Sequence, residues 1–250
     1  MKRWLVAILL FVCGIVSAQS DNIELVAQAN DAYLKGDYVA SQTLYEALVE
    51  NGIRDFRVYF NLGNAYYQSG DLGRALLNFR RAQEVLPRDT ELANNLARVR
   101  TERFDLLSDE NGFSESLAAL TTGIFNLSEL SVIVFFIWSF WFVMVGVAII
   151  KISWRTRMRI PLFLTGILVL LGLFLLGGRL DTAIRHPPAI VIDEVVQVRS
   201  GPGEAYLELY QLHSAAEIYV WETKNDWIQF ALADGRLGWI PLQTVILLQQ

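Results

Sequence analysis

The chain is poor in the residues that carry most enzyme chemistry. It has one cysteine, Cys13, and only two histidines, His186 and His213. Cys13 lies in the N-terminal apolar run, so a chain cut after that run has no thiol. This excludes a disulfide or a cysteine-based metal site from the mature protein, and packing alone must hold its domains. No phosphate-binding loop or His-rich metal spacing is present, and Gly201-Pro-Gly203 is too short for a dinucleotide turn. No catalysis and no cofactor are therefore expected, although a pair of carboxylates would leave no sequence trace. Cations are outnumbered as well: 21 Lys and Arg face 26 Asp and Glu, a net charge of -5. A basic footprint for nucleic acid is excluded.

Charge is missing altogether from two long runs, Leu130–Ile150 and Ile160–Gly178. Each is apolar on every face and long enough to cross a hydrocarbon layer of about 30 Å. They are read as transmembrane helices 130–150 and 160–178. The loop between them, 151–159, holds Lys151, Arg155, Arg157 and Arg159 and no acid. So short a link between two spans is a tight turn at one membrane face, and its cations mark the cytoplasmic face. Both flanking domains then lie outside. The N-terminus agrees. Met1-Lys-Arg-Trp is positive, Leu5–Val16 is a short apolar core, and Val16-Ser17-Ala18 offers small residues for cleavage. Residues 1–18 read as a signal peptide, with an uncleaved anchor as the alternative. The expected topology is multi-pass, with both terminal domains extracytoplasmic.

Residues 21–101 repeat with a period of 34. Ala29-Asn-Asp-Ala-Tyr-Leu-Lys-Gly-Asp37 aligns with Gly63-Asn-Ala-Tyr-Tyr-Gln-Ser-Gly-Asp71, and Tyr45 with Phe79. This resembles the tetratricopeptide repeat, a helix-turn-helix unit. Tyr59, Leu62-Gly63, Tyr66, Ala75, Phe79, Ala82 and Pro87 fill its signature positions in the second copy. Small residues let neighbouring helices approach, Tyr66 and Phe79 fill the gaps, and Asp71 suits the N-cap of the second helix. Pro87 stops that helix. Thr90–Arg100 supplies a third first-helix as a cap. The resemblance implies protein binding on the concave face that the first helices line. There the period pairs Asn30 with Asn64 and Arg98, and Asn61 with Asn95. Asparagine offers both donors and acceptors, so Asn30, Asn61, Asn64 and Asn95 form a ladder that can grip an extended backbone. Arg98 could hold a carboxylate. The alternative is that these residues only brace their own helices.

Residues 102–129 form an acidic juxtamembrane segment. Within it Phe113–Phe125 has apolar residues at helical spacing and reads either as an interfacial helix or as a plain linker. Gly166, Gly172 and Gly177-Gly178 are small residues suited to close helix packing in the spans. After the linker 179–188, residues 189–250 change to short β-rich runs. Ala189–Val198, Glu217–Trp221 and Trp227–Leu232 are read as strands, and after a hairpin turn at Ala233-Asp-Gly-Arg236 the run Gly238-Trp-Ile-Pro241 leads into Val245–Leu248. Five short strands suggest a small barrel. Val198-Arg-Ser-Gly-Pro, Asp226-Trp-Ile-Gln-Phe and Asp234-Gly-Arg-Leu-Gly-Trp-Ile-Pro resemble, in order, the motifs of a bacterial SH3-type domain. That resemblance implies binding of cell-wall peptides or protein segments, with Tyr206, Trp221, Trp227 and Trp239 as candidate platforms; their alternative role is core.

The fold class expected is thus a multi-domain membrane protein: an all-α repeat domain, a two-helix transmembrane hairpin and a small all-β SH3-type barrel. That order of parts resembles the BatE proteins of the Bacteroides aerotolerance operon type. The resemblance implies a non-enzymatic scaffold in an envelope stress complex at the bacterial inner membrane, with both terminal domains periplasmic and von Willebrand factor A-type membrane proteins as partners; the spans themselves imply contact with membrane lipid. Peptidoglycan binding through the SH3-type domain is the alternative function. A sensor role is a third reading, for which the short cytoplasmic loop offers almost no output surface.

Overall fold

A computed structural model describes residues 22–105 and 125–248. The expected signal peptide and most of the juxtamembrane segment, including Phe113–Ile124, lie outside the described residues.

Five helices build the repeat domain: α1 (22–34), α2 (Tyr38–Glu50), α3 (Phe56–Gln68), α4 (Leu72–Val85) and α5 (Thr90–Glu102). Aspartates open the last four. Asp37, Asp55, Asp71 and Asp89 each accept a hydrogen bond from a backbone N–H in the first turn of the helix that follows. Gly36 and Gly70 take the same place between the paired helices with φ of +79° and +86°, a conformation that costs glycine little. Tyr45, Leu48, Leu76 and Phe79 fill the core, and α5 closes it with Leu92, Leu96 and Val99. Burying each stabilises the fold by roughly 1.5–3 kcal/mol. A Cβ on Gly63 would lie 2.6 Å from the Phe79 ring, so the small residue is required for α3 to meet α4.

The two apolar runs form α6 (Leu127–Ile150) and α7 (Arg155–Arg185), joined by a 3₁₀ turn at Ile152–Trp154. The first helix starts one turn before Leu130 because Asn126 and Glu129 make a reciprocal capping box. The second takes up Arg155, Arg157 and Arg159 from the expected loop and runs past Gly178 to Arg185. Gly172 faces Val134 and Gly166 faces Trp141, whose Nε1 donates to the Leu162 carbonyl at 3.1 Å. Gly177 and Gly178 face open space. Both helices are long and apolar enough to cross a membrane.

The C-terminal unit is one antiparallel sheet of seven strands: β1 (Pro188–Val191), β2 (Val195–Arg199), β3 (Glu208–His213), β4 (Glu217–Lys224), β5 (Trp227–Ala231), β6 (Leu237–Pro241) and β7 (Val245–Leu247). Their order is β3-β2-β6-β5-β4-β1-β7. The buried residues of its core all belong to this unit, so the sheet curls around its own interior. Bulges at Val198/Arg199 and Val220/Glu222 sharpen the curl. The single strand expected over Ala189–Val198 is two strands. The chain bends at exposed Asp193 and Glu194, so β1 pairs with β4 and β7 while β2 pairs with β3 and β6.

The repeat domain and the sheet touch. Ala189 and Val191 belong to the sheet core, but Ile190 between them enters the repeat core with Ala215 and Leu248. This accounts for three consecutive buried residues in a strand, where alternation would expose the middle one. A Cβ on Gly73 would lie 2.6 Å from Ser214 Oγ and 2.7 Å from the Val191 carbonyl oxygen, so α4 approaches the sheet closely only because that residue is glycine. The hairpin meets the repeat domain where Arg88, just after α4, is 2.7 Å from Glu129; within the hairpin, Arg179 donates to the Phe125 carbonyl.

Candidate functional site

The concave face of the repeats carries two adjoining hollows, of about 170 and 190 Å³. The first is walled by Asn30, Tyr33, Leu34, Tyr45, Asn61 and Asn64. The second shares Tyr33 and Asn64 and adds Tyr67, Gln68, Glu91, Asn95 and Arg98. All five groove residues expected from the sequence therefore line one face. Helices α1, α3 and α5 present them because residues one repeat period apart take the same place on successive first helices.

The asparagines are tied to each other. Asn61 Nδ2 donates to Asn30 Oδ1 at 3.3 Å and to Tyr45 Oη at 3.0 Å, and Tyr45 donates to Asn30 Oδ1 at 2.5 Å. Asn95 Nδ2 donates to Asn64 Oδ1 at 3.0 Å. The pairs Asn30–Asn61 and Asn64–Asn95 are the same contact one repeat apart. Bracing therefore consumes part of the ladder. Asn30 Nδ2, Asn64 Nδ2, Asn61 Oδ1 and Asn95 Oδ1 keep no partner among the described residues, two donors and two acceptors that a bound backbone can use.

Arg98 sits 4.7 Å from the Tyr67 ring centroid, with its Nε 3.3 Å from Glu102. Tyr67 also donates to both Glu102 oxygens, at 2.6 and 2.8 Å. That hydroxyl, followed by Arg98, holds the Glu102 carboxyl below its usual range. Arg98 thus already has a carboxylate from its own chain, and a ligand carboxylate must displace or share it. Tyr45 is buried, and burial raises its pKa despite the bond from Asn61, so it stays a neutral hydroxyl. Sequence reasoning missed Tyr33 and Tyr67 as groove residues. Their signal was available: they too stand 34 apart, each three residues before the turn-forming glycine of its copy.

The four candidate platforms on the sheet are scattered. Trp239 is 8% exposed and belongs to the interior. Trp227 is half-buried on β5. Trp221 is exposed at the β4 bulge and lies 4.4 Å from the His186 ring, where the hairpin enters the sheet. Tyr206 is exposed, its ring against Gly201 and Gly203. No ring contact joins any two of the four among the described residues.

Comparison with known proteins supports the helical part. The profile of the tetratricopeptide repeat family matches residues 56–89, which hold α3, α4 and the turn after them. The motif is a protein-interaction unit and not a catalytic one. No curated protein matches the chain.

Proposed function

We propose that the chain is a membrane-anchored docking protein whose concave repeat face grips an extended segment of a partner protein. The observation that carries this reading is the repeat face itself: a matched protein-interaction motif whose first helices present amide groups not consumed by internal bracing. The hairpin is the anchor. A core helix of a soluble protein is mostly buried, whereas α6 and α7 expose Phe135, Phe136, Phe140, Phe163, Leu170 and Phe174. The basic turn then lies on the cytoplasmic side, and the repeats and the SH3-type sheet lie outside. The resemblance to BatE proteins names von Willebrand factor A-type membrane proteins as partners in an envelope stress complex.

The test is a mild-detergent pull-down of the full chain beside an Asn61→Ala, Asn64→Ala double variant, with recovered proteins identified by mass spectrometry. Loss of membrane-protein partners from the variant supports the groove as the grip. Equal recovery refutes it. A second reading, wall binding through the sheet, rests on exposed Tyr206. It requires the solubilised chain to co-sediment with purified sacculi and Tyr206→Ala to abolish this.

A further inference from the structure

We propose that the basic turn at the tip of the hairpin binds the headgroups of anionic phospholipids; the proposal rests on the membrane-spanning reading. Lys151, Arg155, Arg157 and Arg159 stand within nine residues and are all exposed. No acidic residue occurs between Glu129 and Asp181, so the two helices contain nothing to neutralise them.

The turn itself consumes little of this charge. Arg155 folds back so that its Nε donates to the Ala148 carbonyl at 3.3 Å, at the C-terminal end of α6. Lys151 lies 5.2 Å from the Trp154 ring centroid. Arg157 and Arg159 have no hydrogen-bond or ion-pair partner among the described residues. They sit in the first two turns of α7, at the positive end of the helix dipole, where cations are repelled and an anion is favoured. Four cations held together against mutual repulsion call for a negative counter-surface.

The surroundings select which anion. Ile149, Ile150, Ile152 and Ile160 flank the cations and are 62%, 81%, 74% and 72% exposed, and Trp154 beside them is about half exposed. A soluble acidic protein would meet the charge and leave these isoleucines in water. A phospholipid satisfies both, its phosphate on the arginines and its chains against the isoleucines. Trp154 has the place of an interfacial aromatic. Attraction to an anionic leaflet is worth about five-fold in affinity for each basic residue near the surface. Removing Arg157 and Arg159 should therefore weaken the preference by about 25-fold.

The test uses the full chain reconstituted into vesicles of phosphatidylcholine alone and into vesicles containing phosphatidylglycerol. Flotation reads insertion, and native mass spectrometry after mild solubilisation counts the lipids retained. Wild type is expected to float with both and to retain phosphatidylglycerol preferentially, less so at high salt. Arg157→Gln with Arg159→Gln should weaken the preference by about 25-fold, while Arg157→Lys with Arg159→Lys should keep it. Equal retention of the two lipids by wild type, or an unchanged preference in the glutamine variant, overturns the lipid site and leaves the spanning reading standing. Failure to float with either vesicle overturns both.

Discussion

Replacing Glu217 should loosen the junction between the repeat domain and the sheet. Glu217 lies on β4, where Arg100 holds its carboxylate through two bonds of 2.9 Å, Arg103 approaches to 3.2 Å and Arg80 to 3.4 Å. All three arginines come from the repeat domain or the residue following α5, so this cluster fastens the repeats to the sheet. Burial pushes the carboxyl's pKa up, but Arg80, Arg100 and Arg103 together outweigh it and bring it from 4.5 down to about 2. At about 1.4 kcal/mol per unit, the depression is worth about 3 kcal/mol at neutral pH. A depressed folded-state value means this contribution is complete above pH 4.5 and is lost as pH falls through 2. Glu217→Gln removes it and leaves three arginines crowded without their acid, a loss typically of about 3–5 kcal/mol. The assay is hydrogen exchange of the full chain in mild detergent, read at α5 and β4. Exchange there should accelerate about a hundredfold or more in the variant at pH 7, and the difference should shrink steadily between pH 4.5 and 2. A variant that exchanges like wild type at pH 7, or a difference that ignores pH, would refute the claim that Glu217 clamps the two domains.

Three further outcomes follow from close approaches and from the groove. Gly73→Val should force α4 away from Val191 and Ser214, costing about 1–3 kcal/mol and opening the domain junction to limited proteolysis, whereas Gly177→Ala, facing open space, should leave the cleavage pattern unchanged. Gly63→Leu should collide with Phe79 and lower the thermal midpoint of the helical circular-dichroism signal, by more than Gly52→Ala in a loop. Asn64→Ala removes one half-buried hydrogen bond, from Asn95, and should cost about 1 kcal/mol, so a loss of partner recovery in this single variant would report the groove and not unfolding.

Much of this architecture could be read from order along the chain. The pairs Gly36/Gly70, Asp37/Asp71 and Asn30/Asn64 recur at a fixed spacing, and that spacing alone places each on the same feature of successive helices. Uncharged runs likewise reveal α6 and α7, although their ends shift because Asn126 caps a turn earlier and nothing after Gly178 stops the helix before Arg185. The sheet was less legible. Ala189–Val198 looks like one strand because the bend at Asp193 and Glu194 is dictated by which neighbours each half pairs with, and pairing is not a local signal. Trp239 and Tyr206 are equally aromatic in the sequence, but only the curl of the sheet buries the first and leaves the second exposed.

What is periodic or local was legible along the chain: the helical repeat, its caps and turns, the two apolar helices and the cations between them. Tertiary structure alone decided that Gly73 admits a strand, that the groove asparagines brace one another in pairs, and that Glu217 meets Arg100 across 117 residues of chain. The physical reason is the range of the interaction. Helix capping, hydrophobic periodicity and turn geometry act over a few residues and leave a pattern. A carboxylate's partners across a domain junction are set by the packing of both surfaces, which no spacing along the chain encodes.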